Sequence, residues 1–315
     1  MAAMPEHVSQ SQTFSVIMPV YNHVNYVTRA VRSVQNQTRS DWELCIVDDG
    51  STDGSGELLA DLACGDDRIS LIRQPNAGPA AARNVALAAT SAPWLTYIDS
   101  DDVWLPEALE NYGGFIASHP DVQFIYGYRH RLNEDGTVTE LAGEFQDAPT
   151  GPVELFGRMY LSHLCVCYRR KLIDRAGGYD QRLRSCEDYE LYLRLSLLCP
   201  LVPLNLPTGL RRRHATNISR QTGYSRLLQA RILQRFIDRQ GGAAVVPADI
   251  VSRRLGQLYY SAGRQFFKSR CFAQAAQALS IADGYRRTLN STVIGVLSRL
   301  LAPLGRTETA PWTFD

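Results

Sequence analysis

The sequence predicts an α/β fold with a mostly parallel sheet flanked by helices, followed by a smaller all-helical C-terminal region. Two observations carry that prediction. Through the first two-thirds of the chain, short continuous apolar runs alternate with stretches of helical periodicity, the pattern of strands buried on both faces and joined by crossover helices. Beyond Gly223 the strand-like runs stop, and apolar residues recur only at spacings of three and four. The 315 residues therefore divide into a flexible tail at 1–13, an α/β segment at 14–222 and a helical segment at 223–315.

Taken in order, residues 14–18 form the first strand candidate and 26–37 the helix after it. Strand candidates at 44–47 and 69–72 precede helices at 54–64 and 79–89, and Pro79 suits a first helical position. A strand at 94–98 precedes a helix beginning near Pro106, and 122–128 is a further strand. Residues 132–152 turn polar and glycine-rich, as a hairpin or loop. A strand is expected at 164–168 and a helix at 187–198, then helices at 226–239, 247–267, 272–282 and 292–304. Gly263 and Ala275-Ala276 have the small-residue texture of a tightly packed helical hairpin.

Composition narrows the classes. Hydrophobic residues at 45% and charged residues at 21% match a globular chain and exclude collagen-like or wholly disordered ones. Thirty-three basic against 32 acidic residues give a net charge of +1, which argues against a nucleic-acid partner held by bulk positive charge. No window approaches the roughly 18 apolar residues of a transmembrane segment. The polar start, with Glu6, does not read as a signal peptide. Seven scattered cysteines without a C-x-x-C pair fit free thiols in a reducing compartment. A cytoplasmic chain, placed if anything at the inner face of a membrane, is the expectation.

The acidic clusters stand where strand candidates end. Val47 runs into Asp48-Asp49-Gly50-Ser51-Thr52-Asp53, and Ile98 into Asp99-Ser100-Asp101-Asp102. Such residues are ordinary in loops that cap the next helix. Two clusters at one sheet edge, however, crowd carboxylates and raise their pKa values. A divalent cation relieves that repulsion, and magnesium-like ions want oxygen ligands, often few from protein and the rest from phosphate. Ligands of open parallel sheets bind beyond the carboxyl ends of the strands.

Five motifs now stand in order: Ser15-Val-Ile-Met-Pro19-Val-Tyr21-Asn22, Val47-Asp-Asp-Gly-Ser-Thr-Asp53, Asn76-Ala-Gly78-Pro-Ala-Ala-Ala-Arg83-Asn84, Asp99-Ser-Asp101, and Gly177-Gly-Tyr179-Asp180 with Glu187-Asp-Tyr-Glu-Leu191. Together they resemble the family 2 inverting glycosyltransferases of GT-A fold. The resemblance covers about 14–219 and makes 14–222 the catalytic segment. It implies a nucleoside-diphosphate-sugar donor, most often UDP-linked, a divalent metal (Mn2+ or Mg2+), and inversion at the anomeric carbon.

Residue by residue, the resemblance places Pro19 and Tyr21 at the nucleoside pocket, Tyr21 against the base, with Asn22 in the same motif. Asp49 would accept a hydrogen bond from the base, unless Asp48 is the inward-facing one. Arg83 would reach the nucleotide, its alternative being a solvent salt bridge. Asp99 would contact the ribose, Ser100 lies within its motif, and Asp101 would ligate the metal, with Asp102 a helix-capping neighbour. Asp188 matches the catalytic base, although Glu187 could be the inward carboxylate, and Ser185 with Asp188 also has capping-box spacing. Arg211-Arg212-Arg213-His214-Ala-Thr-Asn217-Ile-Ser219 resembles the stretch closing many family catalytic domains. There Arg212 and Arg213 suit phosphate oxygens, and His214 would join the metal. The other histidines, 7, 23, 119, 130 and 163, share no ligand spacing.

The partners implied are the donor and a glycan, lipid-linked or other hydroxyl acceptor in glycan or polysaccharide biosynthesis. Peripheral membrane association and a homodimer are both compatible with the helical segment. P-loop, dinucleotide, zincin and serine-hydrolase signatures are absent. A non-enzymatic rival, a nucleotide-sugar-binding scaffold recruiting partners through its C-terminal helices, would have a damaged site, and no matched acidic position is lost.

Overall fold

The computed structural model of the chain describes residues 13–141, 148–213, 223–285 and 289–306. The chain forms two compact units that interleave in sequence. The first takes Met1–Asp147, Leu161–Gly178 and Val202–Arg213; the second takes Ala148–Tyr160, Tyr179–Leu201 and His214–Asp315.

The first unit is the expected GT-A-type α/β body. It begins β1 (Phe14–Val20), α1 (Val27–Gln35), β2 (Trp42–Asp48), α2 (Ser55–Cys64), β3 (Ile69–Arg73), α3 (Pro79–Ala89) and β4 (Trp94–Tyr97). It continues through β5 (Val103–Trp104), α4 (Ala108–Ser118), β6 (Phe124–Leu132) and β7 (Val138–Thr139). The sheet runs β3-β2-β1-β4-β8-β6-β9-β5, with β7 paired to β6; β8 is Val166–Arg169 and β9 is Val202–Arg212. The pairs from β3 through β4 are all parallel, and β8 enters antiparallel to both β4 and β6. The strands β1, β2 and β4 are almost wholly buried, and on one face Phe14, Val16, Met18, Trp42, Leu44 and Ile46 lie in one core with Val27, Val31 and Val34 of α1.

Register sets the rim where the motifs emerge. Val20 lies opposite Asp48, so β1 and β2 end level, while β4 stops at Tyr97 opposite Ile17 and the acidic turn follows alongside the last residues of β1. Asp49 N–H donates to Val20 O at 2.8 Å, and Ile98 N–H to Ile17 O at 3.1 Å, carrying the pairing one step into each loop. The 132–152 stretch is in part the hairpin expected, with Arg131 opposite Thr139; its 142–147 portion lies outside the described residues.

Two strands and two helices have no counterpart in the sequence reading: β5, β9, α5 (Pro152–Gly157) and α6 (Arg170–Ala176). In β9, Pro203 and Pro207 read as strand breakers. The strand accommodates them by pairing irregularly with β6, whose register shifts on either side of Tyr128. Gly127 permits the approach, since a Cβ there would stand 2.7 Å from Leu206 O.

The second unit is α5 with α7 (Glu187–Ser196), α8 (Gly223–Arg239), α9 (Ala248–Lys268), α10 (Phe272–Tyr285) and α11 (Leu289–Leu301). Among the described residues no helix is long and apolar enough to cross a membrane. The expected hairpin is α9 against α10, closed over Ala262, Phe266, Cys271, Ala275 and Ala278. Gly263 is its closest approach: a Cβ would meet Leu279 Cγ at 2.5 Å. Gly263→Ala is therefore expected to destabilise the chain by roughly 1 kcal/mol in denaturant unfolding, overpacking outweighing the gain in helix propensity.

Buried charges join α7 to α8. Arg235 donates to Asp180 at 2.6 Å and lies in an ion pair 2.9 Å from Glu190, while Glu190 also receives Arg194 at 2.7 Å. Burial opposes the Asp180 carboxylate, but hydrogen bonds from Arg182 and Arg235 outweigh it and hold its pKa below the usual range. A depressed carboxylate stabilises the fold above its unfolded pKa of about 4, and that contribution is lost as pH falls further. Unfolding midpoints should thus decline on acidification below about pH 4, and Arg235→Ala should flatten that decline. At neutral pH the same variant should cost about 2–3 kcal/mol, less than a buried pair left wholly uncompensated, because Arg182 and Arg194 remain.

Candidate donor-side and acceptor-side sites

The loops after β1 and β2 are stitched together. Asn22, at φ 54°, donates its N–H to Ser51 Oγ at 3.0 Å, and its Oδ1 accepts Thr52 N–H at 2.8 Å. Val24 N–H reaches Asp53 Oδ2 at 3.0 Å. Tyr21, between these anchors, is 48% exposed, and Pro19 is partly exposed at the strand end. The structure thus gives Asn22 a loop-joining role and leaves Tyr21 presented to solvent.

The two aspartates ending β2 diverge. Asp48 is buried, accepts Ser51 N–H at 3.0 Å and lies 3.9 Å from Arg73. Asp49 is also buried, and its carboxylate receives Gln74 Nε2 at 2.7 Å and the Ala77 and Gly78 N–H groups at 2.8 Å each. It thereby fixes Gly78, at φ 93°, the turn that launches α3.

From α3, Arg83 is buried and donates to Asp99 Oδ1 at 2.8 Å. The pair therefore joins a buried guanidinium to a carboxylate that stays partly open at the rim. Desolvation opposes the Asp99 charge, yet the guanidinium of Arg83, with Arg211, holds its pKa below the ordinary value. His163, on a single 3-10 turn at His163–Cys165, is buried with its ring 4.3 Å from Tyr97. Burial and then Arg83 push the His163 pKa well below 6.5, so the ring is neutral at neutral pH.

The acidic turn after β4 is held from two further sides. Ser100 is buried and lies 2.6 Å from His23 Nδ1. Arg212, at the end of β9, donates its backbone N–H to Asp102 Oδ1 at 2.8 Å and its Nε to Asp101 O at 3.0 Å. Its guanidinium lies 5.2 Å from the Tyr26 ring. Asp102 is thus not the helix-capping neighbour expected. The next helix, α4, begins at Ala108, and Asp102 instead latches the turn to β9. Burial, then Asp101 and Asp99, raise its pKa well above the carboxylate range. Arg213 is exposed and ties back by its N–H to Leu132 O at 3.0 Å. His214 lies outside the described residues.

Glu187 and Asp188 open α7 in the second unit. The capping-box alternative is not realised: the N-cap is Cys186, at φ 58°, and no side chain caps the helix there. Glu187 is buried and Asp188 partly exposed, Asp188 Oδ1 accepting Tyr189 N–H at 2.7 Å.

In the first unit, therefore, Asn22, Arg83, Asp99, Ser100, Asp101 and Arg212 converge on one rim, and His23, Tyr26 and His163 join them. Ligand spacing does not find these three, because pairing across the sheet brings them in. His23 alone carried a local signal, its place directly after Tyr21-Asn22.

The family described as "Glycosyl transferase family 2" matches residues 15–176, just over half of the chain. A hyaluronan synthase of Pasteurella multocida is 27% identical over 236 residues, covering 75% of this chain and 24% of that protein. A chondroitin synthase of Escherichia coli is 27% identical over 210 residues, covering 65% and 29% respectively. The chain thus spans less than a third of the length of these relatives. Among solved structures, S. aureus TarS 1–349 in complex with UDP-GlcNAc has a TM-score of 0.60 at 18% identity, covering 92% of both chains. The mannosyltransferase PcManGT from Pyrobaculum calidifontis, in complex with GDP-Man and Mn2+, gives 0.56 at 18% identity, covering 94% of this chain and 81% of that one. At such identities the likeness is one of fold.

Proposed function

The chain belongs to glycosyl transferase family 2, and from that premise we propose that it moves a sugar from a nucleoside-diphosphate sugar, UDP-linked in the first instance, to an acceptor hydroxyl with inversion at the anomeric carbon. The observation carrying this reading is the turn Asp99–Asp102, clamped at the sheet rim by Arg83, His23 and Arg212. The names of the synthases it resembles support polysaccharide assembly, and the UDP-GlcNAc complex of TarS supports the donor class. Residues 14–222 carry the catalytic work in this reading.

The acidic turn fits a hard divalent cation. Its donors are carboxylate oxygens, and three carboxylates, Asp99, Asp101 and Asp102, fall within four residues of one turn. Among the described residues no three His, Cys, Asp or Glu side chains form a closed metal cage. A magnesium-like ion held together with phosphate oxygens needs only one or two protein ligands, so Asp101 would meet the requirement; His214, the second ligand that the family resemblance implies, lies outside the described residues. When bound, such an ion neutralises charge on the diphosphate.

The chain's own groups then divide the work. Tyr21 covers the base, and Asp49 holds the pocket wall and accepts from the base edge. Asp99, oriented by Arg83, takes the ribose hydroxyls. Asp188 removes the proton of the acceptor hydroxyl as that oxygen attacks the anomeric carbon and the bond to the diphosphate breaks. Arg212 and Arg213 offer guanidinium donors to the departing phosphate oxygens. No sugar–enzyme bond forms, so no serine or cysteine nucleophile is required.

Thermal unfolding with UDP and Mn2+ tests donor binding. The expected gain is about 2.7 kcal/mol at 100 times Kd, and no response to any nucleotide would remove the reading. A hydrolysis screen over UDP-, dTDP- and GDP-sugars then assigns base and sugar together.

A further inference from the structure

The last helix is amphipathic in the reverse of the usual sense. On α11, Ser291 and Ser298 are 2% and 0% exposed, and Gly295 is buried with them. These positions, four and three apart, form the inward stripe. Ser291 Oγ donates to Asp283 and Ser298 Oγ to Ile294 O, so both hydroxyls are satisfied internally. The opposite stripe is apolar and open to solvent: Val293, Val296 and Leu297 are 49%, 47% and 43% exposed, Leu300 71%, and Leu304, just beyond, 79%. A helix that buries Ser291, Gly295 and Ser298 while exposing four valines and leucines has an apolar face turned to something other than this unit's core.

The charge around that face has one sign. Among the described residues of 264–306 stand Arg264, Lys268, Arg270, Arg299 and Arg306, five basic residues, against one acidic residue, Asp283. Asp283 is the group that receives Ser291. Lys268, Arg270, Arg299 and Arg306 are all exposed. Arg306 N–H donates to Arg270 O at 2.9 Å, so the turn between α9 and α10 is held against the end of α11. Lys268 and Arg270 therefore stand at the same end as Leu300 and Leu304.

From this we infer that α11 and the α9–α10 turn form a docking face for an anionic lipid surface. The apolar stripe enters the boundary between headgroups and acyl chains, and the basic residues meet lipid phosphates. A protein partner of ordinary composition would bring acidic and basic groups alike, whereas this rim complements only negative charge. None of its residues belongs to the donor-side or acceptor-side motifs, so its loss leaves nucleotide binding untouched.

The test is flotation of the full chain with vesicles of phosphatidylcholine alone or mixed with phosphatidylglycerol. Binding is expected to the mixed vesicles and to weaken with salt. Val296→Asp with Leu300→Asp should lower it roughly tenfold or more, the scale of a leucine side chain's transfer. Lys268→Glu with Arg270→Glu should lower it by roughly tenfold at low salt. All four positions are exposed, so unfolding midpoints should not move, and nucleotide affinity serves as the second control. The inference is overturned by no binding to either vesicle, or by binding that both variants retain. It is equally overturned if the chain is a dimer in solution that the aspartate variant dissociates, without vesicle binding.

Discussion

Asp188→Asn lowers sugar transfer by about 10²–10⁴-fold while leaving UDP affinity near that of the unaltered chain, the expected result when a general base loses its ionisable group. The substitution is nearly isosteric. The Asn carbonyl oxygen can keep the 2.7 Å bond from Tyr189 N–H. The helix start does not depend on the side chain, since Cys186 is the N-cap and no side-chain cap is present. Only the favourable placement of a negative charge in a first turn is lost, about 0.3–1 kcal/mol. A fall in rate without a fall in stability or nucleotide binding therefore isolates proton removal. If Glu187→Gln gives the larger effect, the roles of the two carboxylates exchange. A collapse in UDP affinity in Asp188→Asn would assign that residue to the donor pocket or the fold.

Asp101→Ala is expected to abolish the metal dependence of UDP binding. With Mn2+ present, affinity should fall by more than the roughly 10–100-fold typical of losing a residue that only supports a ligand. In chelator the two proteins should bind alike. The turn itself survives, because Arg212 Nε bonds the Asp101 backbone oxygen and Arg212 N–H bonds Asp102. Asp102→Asn is the contrasting control: it keeps an acceptor for Arg212 and should leave Mn2+-dependent affinity little changed. Calorimetric titration of UDP with Mn2+ or EDTA measures all three. Metal dependence unchanged in Asp101→Ala would remove that residue from the metal's coordination.

The strands β1, β2 and β4 were legible because each is a largely apolar run that is almost wholly buried, and Pro79 marked the start of α3. Strand β9 was not, since Pro203 and Pro207 carry the local signal of a break, and only its partner β6 makes those residues a strand. That omission hid a clamp, because β9 delivers Arg212 to Asp101 and Asp102 from 110 residues away. His163 was dismissed for want of spacing, though a 3-10 turn places it beside Tyr97. The Ser185–Asp188 spacing was a false cue: the helix starts one residue later. In α11 the periodicity was visible and its polarity was not, because which face packs is decided by its neighbours.

The central claim is that the Asp99–Asp102 turn grips a donor diphosphate through a cation. Anomalous scattering from a crystal soaked with UDP and Mn2+ tests it most directly. The account predicts one strong manganese peak within coordination distance of a carboxylate oxygen of Asp101 and of the diphosphate, at roughly the 2.0–2.1 Å of magnesium coordination. Bound UDP with no manganese peak at that turn, or a peak that Asp101 does not reach, would contradict it.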